Sequence, residues 1–235
     1  MPQTPTISVV IPIHNEAAYL PGAVAELLAE LETVPATVEV ILAENGSTDD
    51  TVAIAERLAA SHRELRTLSL PEPNYGKAMR AGFAAATGDW AVNFDIDYFS
   101  APFLREALAM EETADLVLAS KRIAGSEDRR GALRRAGTAV FNLLLRILFR
   151  SKVTDTHGMK MIRKPVVEAI LPFVRSTLDL FDTELVIRAE RAGYRIREVP
   201  VVVEEKREAR SSFLSRVPRT LVGILRLRVR LWRER

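Results

Sequence analysis

Cysteine is absent from the 235 residues, so no disulfide framework holds this chain and nothing in it calls for an oxidising compartment. Long apolar runs are absent too. A membrane-spanning helix needs about 20 consecutive apolar residues, and the best stretch, 136–149, is broken by Asn142 and Arg146. No basic region followed by an apolar core stands at the N-terminus, so no signal peptide is expected. No internal repeat, low-complexity tract or linker divides the sequence. Its length suits one α/β domain within the ordinary range of about 50–250 residues. Aromatic residues make up only 6% and do not interleave with the basic ones. With no nucleic-acid motif present either, no nucleic-acid partner is expected.

Charge is plentiful but sorted along the chain. Residues 1–118 hold 6 Lys and Arg against 18 Asp and Glu, whereas residues 119–164 hold 12 against 3. Residues 165–215 are nearly balanced at 8 against 9, and residues 216–235 carry 7 against 1. The net charge of +2 therefore hides an acidic first half, a basic middle and a basic tail. Basic segments placed this way suit an anionic acceptor and an anionic membrane surface; a solvated helix face is the bland alternative.

The apolar run from Ala91 leads into Asp95-Ile96-Asp97. Read as a buried strand, it ends in two carboxylates held close together at the carboxyl edge of a sheet. Two hard oxygen ligands so placed suit a divalent cation on a diphosphate. A solvated turn with a helix-capping Asp is the competing reading. Upstream, Ile7 to Ile13 is a short β-branched run, followed by His14-Asn15-Glu16 and a helical pattern from Tyr19 to Glu32. A second run, Val38 to Ala43, leads into Glu44-Asn45-Gly46-Ser47-Thr48-Asp49-Asp50. Gly46 suits a turn with positive φ, and Ser47 is expected to cap a helix reaching about Ala60. Leu65 to Leu70 reads as a third strand. Asn74-Tyr75-Gly76-Lys77 follows, then a helix over 78–87 closed by Gly88. Alternating strands and helices predict a mostly parallel sheet wrapped by helices, with ligands beyond the carboxyl ends of the strands.

Pro12-Ile13-His14-Asn15-Glu16, Glu44 to Asp49, Asn74 to Lys77 and Asp95-Ile96-Asp97 resemble the successive motifs of family-2 glycosyltransferases with the GT-A fold. The second half resembles the branch of dolichyl-phosphate mannose synthases and bacterial polyprenyl-phosphate glycosyltransferases. Its likeness lies in Ser120-Lys121-Arg122, in Asp155-Thr156-His157-Gly158-Met159-Lys160, in Phe181 to Leu185, and in 193–201. The resemblance spans about residues 7–212 and implies a GT-A domain over 1–212. Residues 213–235 are expected as a basic amphipathic helix of the same domain or of the membrane surface.

The resemblance implies that Asp95 and Asp97 hold Mg2+ or Mn2+ on a donor diphosphate. Phe99 stands where the branch often has a Gln that joins the metal. Pro12, Asn15, Glu16, Glu44, Asn45, Ser47 and Lys77 would meet the nucleotide. Glu44 and Asn45 replace two aspartates common in the family, which leaves uracil and guanine both open. A surface lysine is the bland reading of Lys77. Arg122 and Arg134 match acceptor-phosphate arginines, a task suited to the bidentate guanidinium fork, with Arg135 a rival. Lys121, Arg129 and Arg130 are expected to raise the local potential without fixed contacts. His157 reads as a hydrogen-bonding residue, and Asp155 as one that positions sugar or acceptor. Asp182 is a candidate base or helix cap. Arg207, Arg210, Ser211 and Ser212 resemble a weak Arg-x-x-Gly-x-Ser loop.

In the tail, Arg219, Arg226, Arg230 and Arg233 share a helical face, with Leu221, Leu225, Val229 and Trp232 on the other side. This reads as an interfacial helix on anionic lipid. A helix packed back on the domain, an oligomer contact or a short strand over 225–231 are the alternatives.

Together these features predict a cytoplasmic enzyme, peripheral on the inner face of the membrane. It would transfer a hexose, with inversion, from a GDP- or UDP-sugar to polyprenyl phosphate. One rival is transfer to a sugar, lipid or small-molecule hydroxyl with Asp182 as base. The other is a non-catalytic nucleotide-sugar-binding scaffold.

Overall fold

The computed structural model describes residues 4–203 and 213–234. The first half follows the sequence pattern closely. Strand β1 (Thr6–Ile13) leads to α1 (Leu20–Leu31), β2 (Thr37–Asn45) to α2 (Thr51–Ser61), β3 (Leu65–Leu70) to α3 (Tyr75–Ala85), and β4 (Trp90–Asn93) to α4 (Ala101–Leu108). Then come β5 (Leu116–Ser120), β6 (Glu127–Asp128), α5 (Ala132–Phe149), β7 (Lys160–Arg163) and α6 (Lys164–Ile170). The chain closes with α7 (Phe181–Arg191), β8 (Ile196–Pro200), β9 (Val202–Val203) and α8 (Phe213–Arg233).

Seven strands form one sheet in the order β3-β2-β1-β4-β7-β5-β8. All run in one direction except β7, which is antiparallel to both its neighbours. The central strands are buried on both faces and so read as continuous apolar runs. On one face, Val9, Val40, Val92 and Val117 pack against α1, α2 and α4; on the other, Val10, Ile41, Ala91 and Leu118 pack against α3, α6 and α7. Helices α5 and α8 lie outside α7, where Leu145, Ile187, Leu227 and Leu231 form a third apolar cluster.

Two local expectations are corrected. Ser47 does not cap α2. Asp50 occupies the cap position without a side-chain bond, and Asp49 instead accepts from the Thr51 N–H at 3.0 Å. Helix α3 begins at Tyr75 rather than 78, because the Asn74 side chain caps it by accepting from the Lys77 N–H at 3.0 Å. The tail is helical rather than a strand over 225–231.

Candidate functional site

The parallel strands bring their following loops to one edge of the sheet. His14 to Glu16 follow β1, Gly46 to Asp50 follow β2, Asn74 follows β3, Asp95 and Asp97 follow β4, and Lys121 and Arg122 follow β5. Because β7 runs the other way, the residues before it, Asp155 to Gly158, arrive at the same edge. The reversed strand thus delivers the second-half motif to the first-half site.

Gly46 has φ +65, and a Cβ there would meet the backbone of Glu72 and Pro73 at 2.7 Å. This close approach packs the loops after β2 and β3 together. The Asn45 side-chain oxygen accepts from the Asn74 N–H. Glu44 is 2% exposed, and its two oxygens accept from the Ser47 N–H at 2.5 Å and the Ser69 hydroxyl at 2.6 Å. Burial pushes the Glu44 carboxyl up, but the bonds from Ser69 and Ser47 outweigh it and hold it below the usual range. The Asn15 N–H donates to Ser47 Oγ at 2.9 Å, and Asn15 Oδ1 accepts from the Thr48 N–H at 2.8 Å. The buried Glu16 donates its N–H to Thr51 Oγ1 at 2.7 Å. Pro12 pairs with Ala43 inside the ladder. Glu44, Asn45, Asn15 and Ser47 therefore first build the loops expected to receive a nucleotide. Lys77 is exposed and lies 3.6 Å from Glu72, as a surface lysine would.

Phe94, Ile96 and Phe99 are buried in the core, so the intervening Asp95 and Asp97 face away from it. The turn is closed by paired backbone bonds between Asp95 and Tyr98, at 3.0 and 3.2 Å. Strand β4 stops at Asn93, so both carboxylates stand beyond it. Asp95 keeps an exposed surface, yet protein atoms crowd its carboxyl and two other carboxylates stand nearby. The surrounding protein, then the charges of Asp182 and Asp97, push its carboxyl up to about 6 against the pull of Lys160. Crowded negative charge and hard oxygen donors suit a divalent cation. Among the described residues no cluster of three or more metal-ligating side chains forms, and Phe99 belongs to the core, so other ligands would have to complete the shell.

Behind Asp95 lies a network that sequence reasoning missed. Lys160 is fully buried and donates to Asp182 Oδ1 at 2.8 Å, to Asn93 Oδ1 at 2.9 Å and to the Gly158 carbonyl at 2.9 Å. The Tyr75 hydroxyl donates to the other Asp182 oxygen at 2.6 Å. Burial, then the charges of Asp182 and Asp95, push the Tyr75 hydroxyl well above its ordinary value. Asp182 neither caps α7 nor stands free as a base; it is an ion-paired acceptor. The signal was present in the sequence: a lysine within an apolar strand must find a partner.

The basic segment is also more tightly tied than expected. Lys121 pairs with the buried Asp155. Burial pushes the Asp155 carboxyl up, but Lys121 and the His157 N–H hold it below the usual range. Arg130 binds Asp128 through two bonds at 2.7 Å, and Arg129 pairs with Glu127. The expectation that these three cations lack fixed contacts is overturned: each has a carboxylate within reach. His157 packs edge-on to Phe141 at 4.9 Å. Arg122 is exposed beyond β5, and Arg134 is half-buried in the first turn of α5. Arg207, Arg210, Ser211 and Ser212 lie outside the described residues.

Comparison with known proteins adds to this geometry. The profile of glycosyl transferase family 2 matches residues 8–171. Glycosyltransferase AglD of Haloferax volcanii is 32% identical over 242 residues, a match covering 96% of this chain but 37% of AglD. The chain thus spans well under half of that relative. An uncharacterised glycosyltransferase of Mycobacterium tuberculosis is 31% identical over 223 residues, covering 93% of this chain and 94% of the relative. The crystal structure of glucosyl-3-phosphoglycerate synthase from Mycobacterium tuberculosis with Mn2+, uridine diphosphate and phosphoglyceric acid has a TM-score of 0.69 at 26% identity. That match covers 95% of this chain and 78% of the synthase.

Proposed function

Because the chain belongs to glycosyl transferase family 2, with residues 8–171 matching the family profile, we propose that it moves a hexose from a nucleoside-diphosphate sugar to a polyprenyl phosphate. One observation carries the choice of acceptor. Among the described residues, the carboxylates that the second half brings toward the site are held by cations: Asp155 by Lys121 and Asp182 by Lys160. A hydroxyl acceptor needs a general base, whereas a phosphate acceptor arrives ionised and needs none.

The donor reading rests on the loops after β1 and β2 and on the uridine diphosphate and Mn2+ held by the related synthase. Asp95 and Asp97 would hold the cation, Mg2+ or Mn2+. A divalent ion there supplies charge neutralisation to the departing diphosphate. Asn15, Glu16 and Ser47 on the loops after β1 and β2, with Pro12 near the end of β1 and Lys77 in the first turn of α3, would meet the donor nucleotide. Arg122 and Arg134 would hold the acceptor phosphate so that its oxygen attacks the anomeric carbon opposite the leaving group. The residues' work is then positioning and electrostatics. A lipid acceptor places the enzyme on a membrane face as a peripheral protein, with the basic tail as the contact. Among the described residues no helix is long and apolar enough to cross a membrane.

A second reading, transfer to a small-molecule hydroxyl, is favoured by the phosphoglyceric acid in the same synthase complex. An acceptor screen separates the two. Labelled UDP- and GDP-sugars are offered with polyprenyl phosphate, with phosphoglyceric acid and with neither. Label in the lipid phase supports the proposal; label only in phosphoglyceric acid replaces it with the second reading.

A further inference from the structure

We infer that α5 and α8 together form a preshaped docking surface for an anionic lipid bilayer, with α8 clamped to the domain rather than trailing as a free anchor. The inference rests on the peripheral-membrane reading above and changes what makes the contact. The tail's expected apolar side does not bury itself. Ile224, Leu227 and Leu231 turn inward, and Leu225 and Trp232 remain 58% and 63% exposed. Val229 completes that outer stripe at helical spacing.

Helix α5 repeats the arrangement. Leu145 is buried against α7 and α8, while Leu133, Val140, Leu143 and Ile147 stand outward, the last two at 56% and 66%. Their intervals of seven, three and four residues put them on one helical face. Two neighbouring helices thus share one inner junction and each leaves an apolar stripe in solvent. Large exposed apolar stripes mark a contact surface.

Charge selects the occupant. No Asp or Glu occurs in 132–152 or in 213–233. Arg135, Arg146 and Arg150 are exposed on or just after α5, and Arg219, Arg226 and Arg233 on α8. Arginines flanking an apolar stripe match the headgroup and acyl layers of an anionic bilayer. A second copy would bring like charges together.

The surface is held in place before any lipid arrives. Arg230 bonds the buried Glu184 of α7 at 2.8 Å, Glu234 bonds Arg188 at 2.8 Å, and Arg191 reaches the Leu231 carbonyl at 3.3 Å. The first turn of α5 carries Arg134, so the same helix that would meet lipid begins at a proposed acceptor-phosphate residue.

The test is co-sedimentation of the full chain with phosphatidylglycerol vesicles and with phosphatidylcholine vesicles, at low and high salt, without donor or acceptor. Two double variants are compared with wild type: Leu143→Asp with Ile147→Asp, and Leu225→Asp with Trp232→Asp. Each is expected to lower partitioning onto anionic vesicles by about tenfold or more, with unchanged circular dichroism and unchanged Mn2+-dependent UDP binding. Wild-type binding is expected to weaken with salt and on phosphatidylcholine. Loss in the α8 variant alone overturns the two-helix surface and leaves the tail as the contact. No wild-type binding at low salt overturns the peripheral-membrane reading as well. A wild-type dimer by light scattering that both variants dissolve, without vesicle binding, assigns the surface to a second copy instead.

Discussion

At the scale of single residues, the site is defined by which carboxylates have partners. Asp95 has its carboxyl raised first by the protein around it, then by the charges of Asp182 and of its neighbour Asp97. A carboxyl whose folded value exceeds its ordinary 3.8 disfavours the fold as pH rises from about 4 through 6. A bound cation reverses this. Mn2+ with UDP should therefore raise Tm more at pH 7 than at pH 5, and Asp97→Ala should remove most of the Mn2+ dependence of UDP binding by calorimetry. Undiminished metal dependence in that variant would reassign the site.

Asp182 makes the opposite case. It is ion-paired with a fully buried lysine, and removing one member of such a pair costs about 3–5 kcal/mol. Lys160→Met is expected to lose stability of that order in urea unfolding, and Asp182→Asn rather less, because an amide still accepts from Tyr75. If Asp182→Asn keeps full stability but loses activity more than about a thousandfold, Asp182 is a base and the phosphate-acceptor reading fails. Glu39 is a structural counterpart at the far edge of the sheet. It accepts from Ser8 at 2.5 Å, from Arg66 at 2.9 Å and from the Thr87 N–H at 2.8 Å. Burial opposes its ionisation, but bonds from Ser8, Thr87 and Arg66 hold the carboxyl down at about 2 against an ordinary 4.5. The resulting stability is complete above pH 4.5 and fades as pH falls through 2. The gap between wild type and Glu39→Gln should accordingly narrow between pH 5 and pH 2 in urea midpoints.

Elements add constraints that no single residue carries. Helix α8 reads in sequence as a lipid-facing amphipath, yet its inner stripe joins Leu145 and Ile187 in a shared cluster. Arg230→Met should cost about 2 kcal/mol by urea unfolding. This is less than a buried pair lost outright, because Arg188 and the N–H groups of Arg175 and Ser176 still serve Glu184. An unchanged midpoint would show that α8 is not clamped. Strand β7 acts at the same scale. Its reversal carries Asp155 and Gly158 to the site edge, and Gly158 lets the chain pass against the Ala119 carbonyl, where a Cβ would clash.

For the whole molecule, the proposed function makes the acidic half the donor side and the basic middle and tail the acceptor and lipid sides. If that division holds, Arg122→Ala should raise KM for polyprenyl phosphate or lower kcat by about tenfold or more while sparing UDP affinity. Steady-state kinetics with varied acceptor decides, and a loss confined to UDP affinity would move Arg122 to the donor side.

The sequence by itself determined the alternation of strands and helices in the first hundred residues and the edge at which their polar loops collect. Periodicity and turn residues are local properties, and Gly46 and the Leu65–Leu70 strand appear where they were expected. It also carried the Asp95-Ile96-Asp97 turn, because buried neighbours in an alternating run leave the aspartates outward. Only the tertiary structure decided which charged groups are engaged. Lys160 meets Asp182 across 22 residues, Lys121 meets Asp155 across 34, and Arg230 meets Glu184 across 46. Nor does a strand's pattern state its direction, so the reversal of β7 was not legible. The side of α8 that would be buried was likewise decided by packing, since an apolar stripe of that width can face either α7 or lipid.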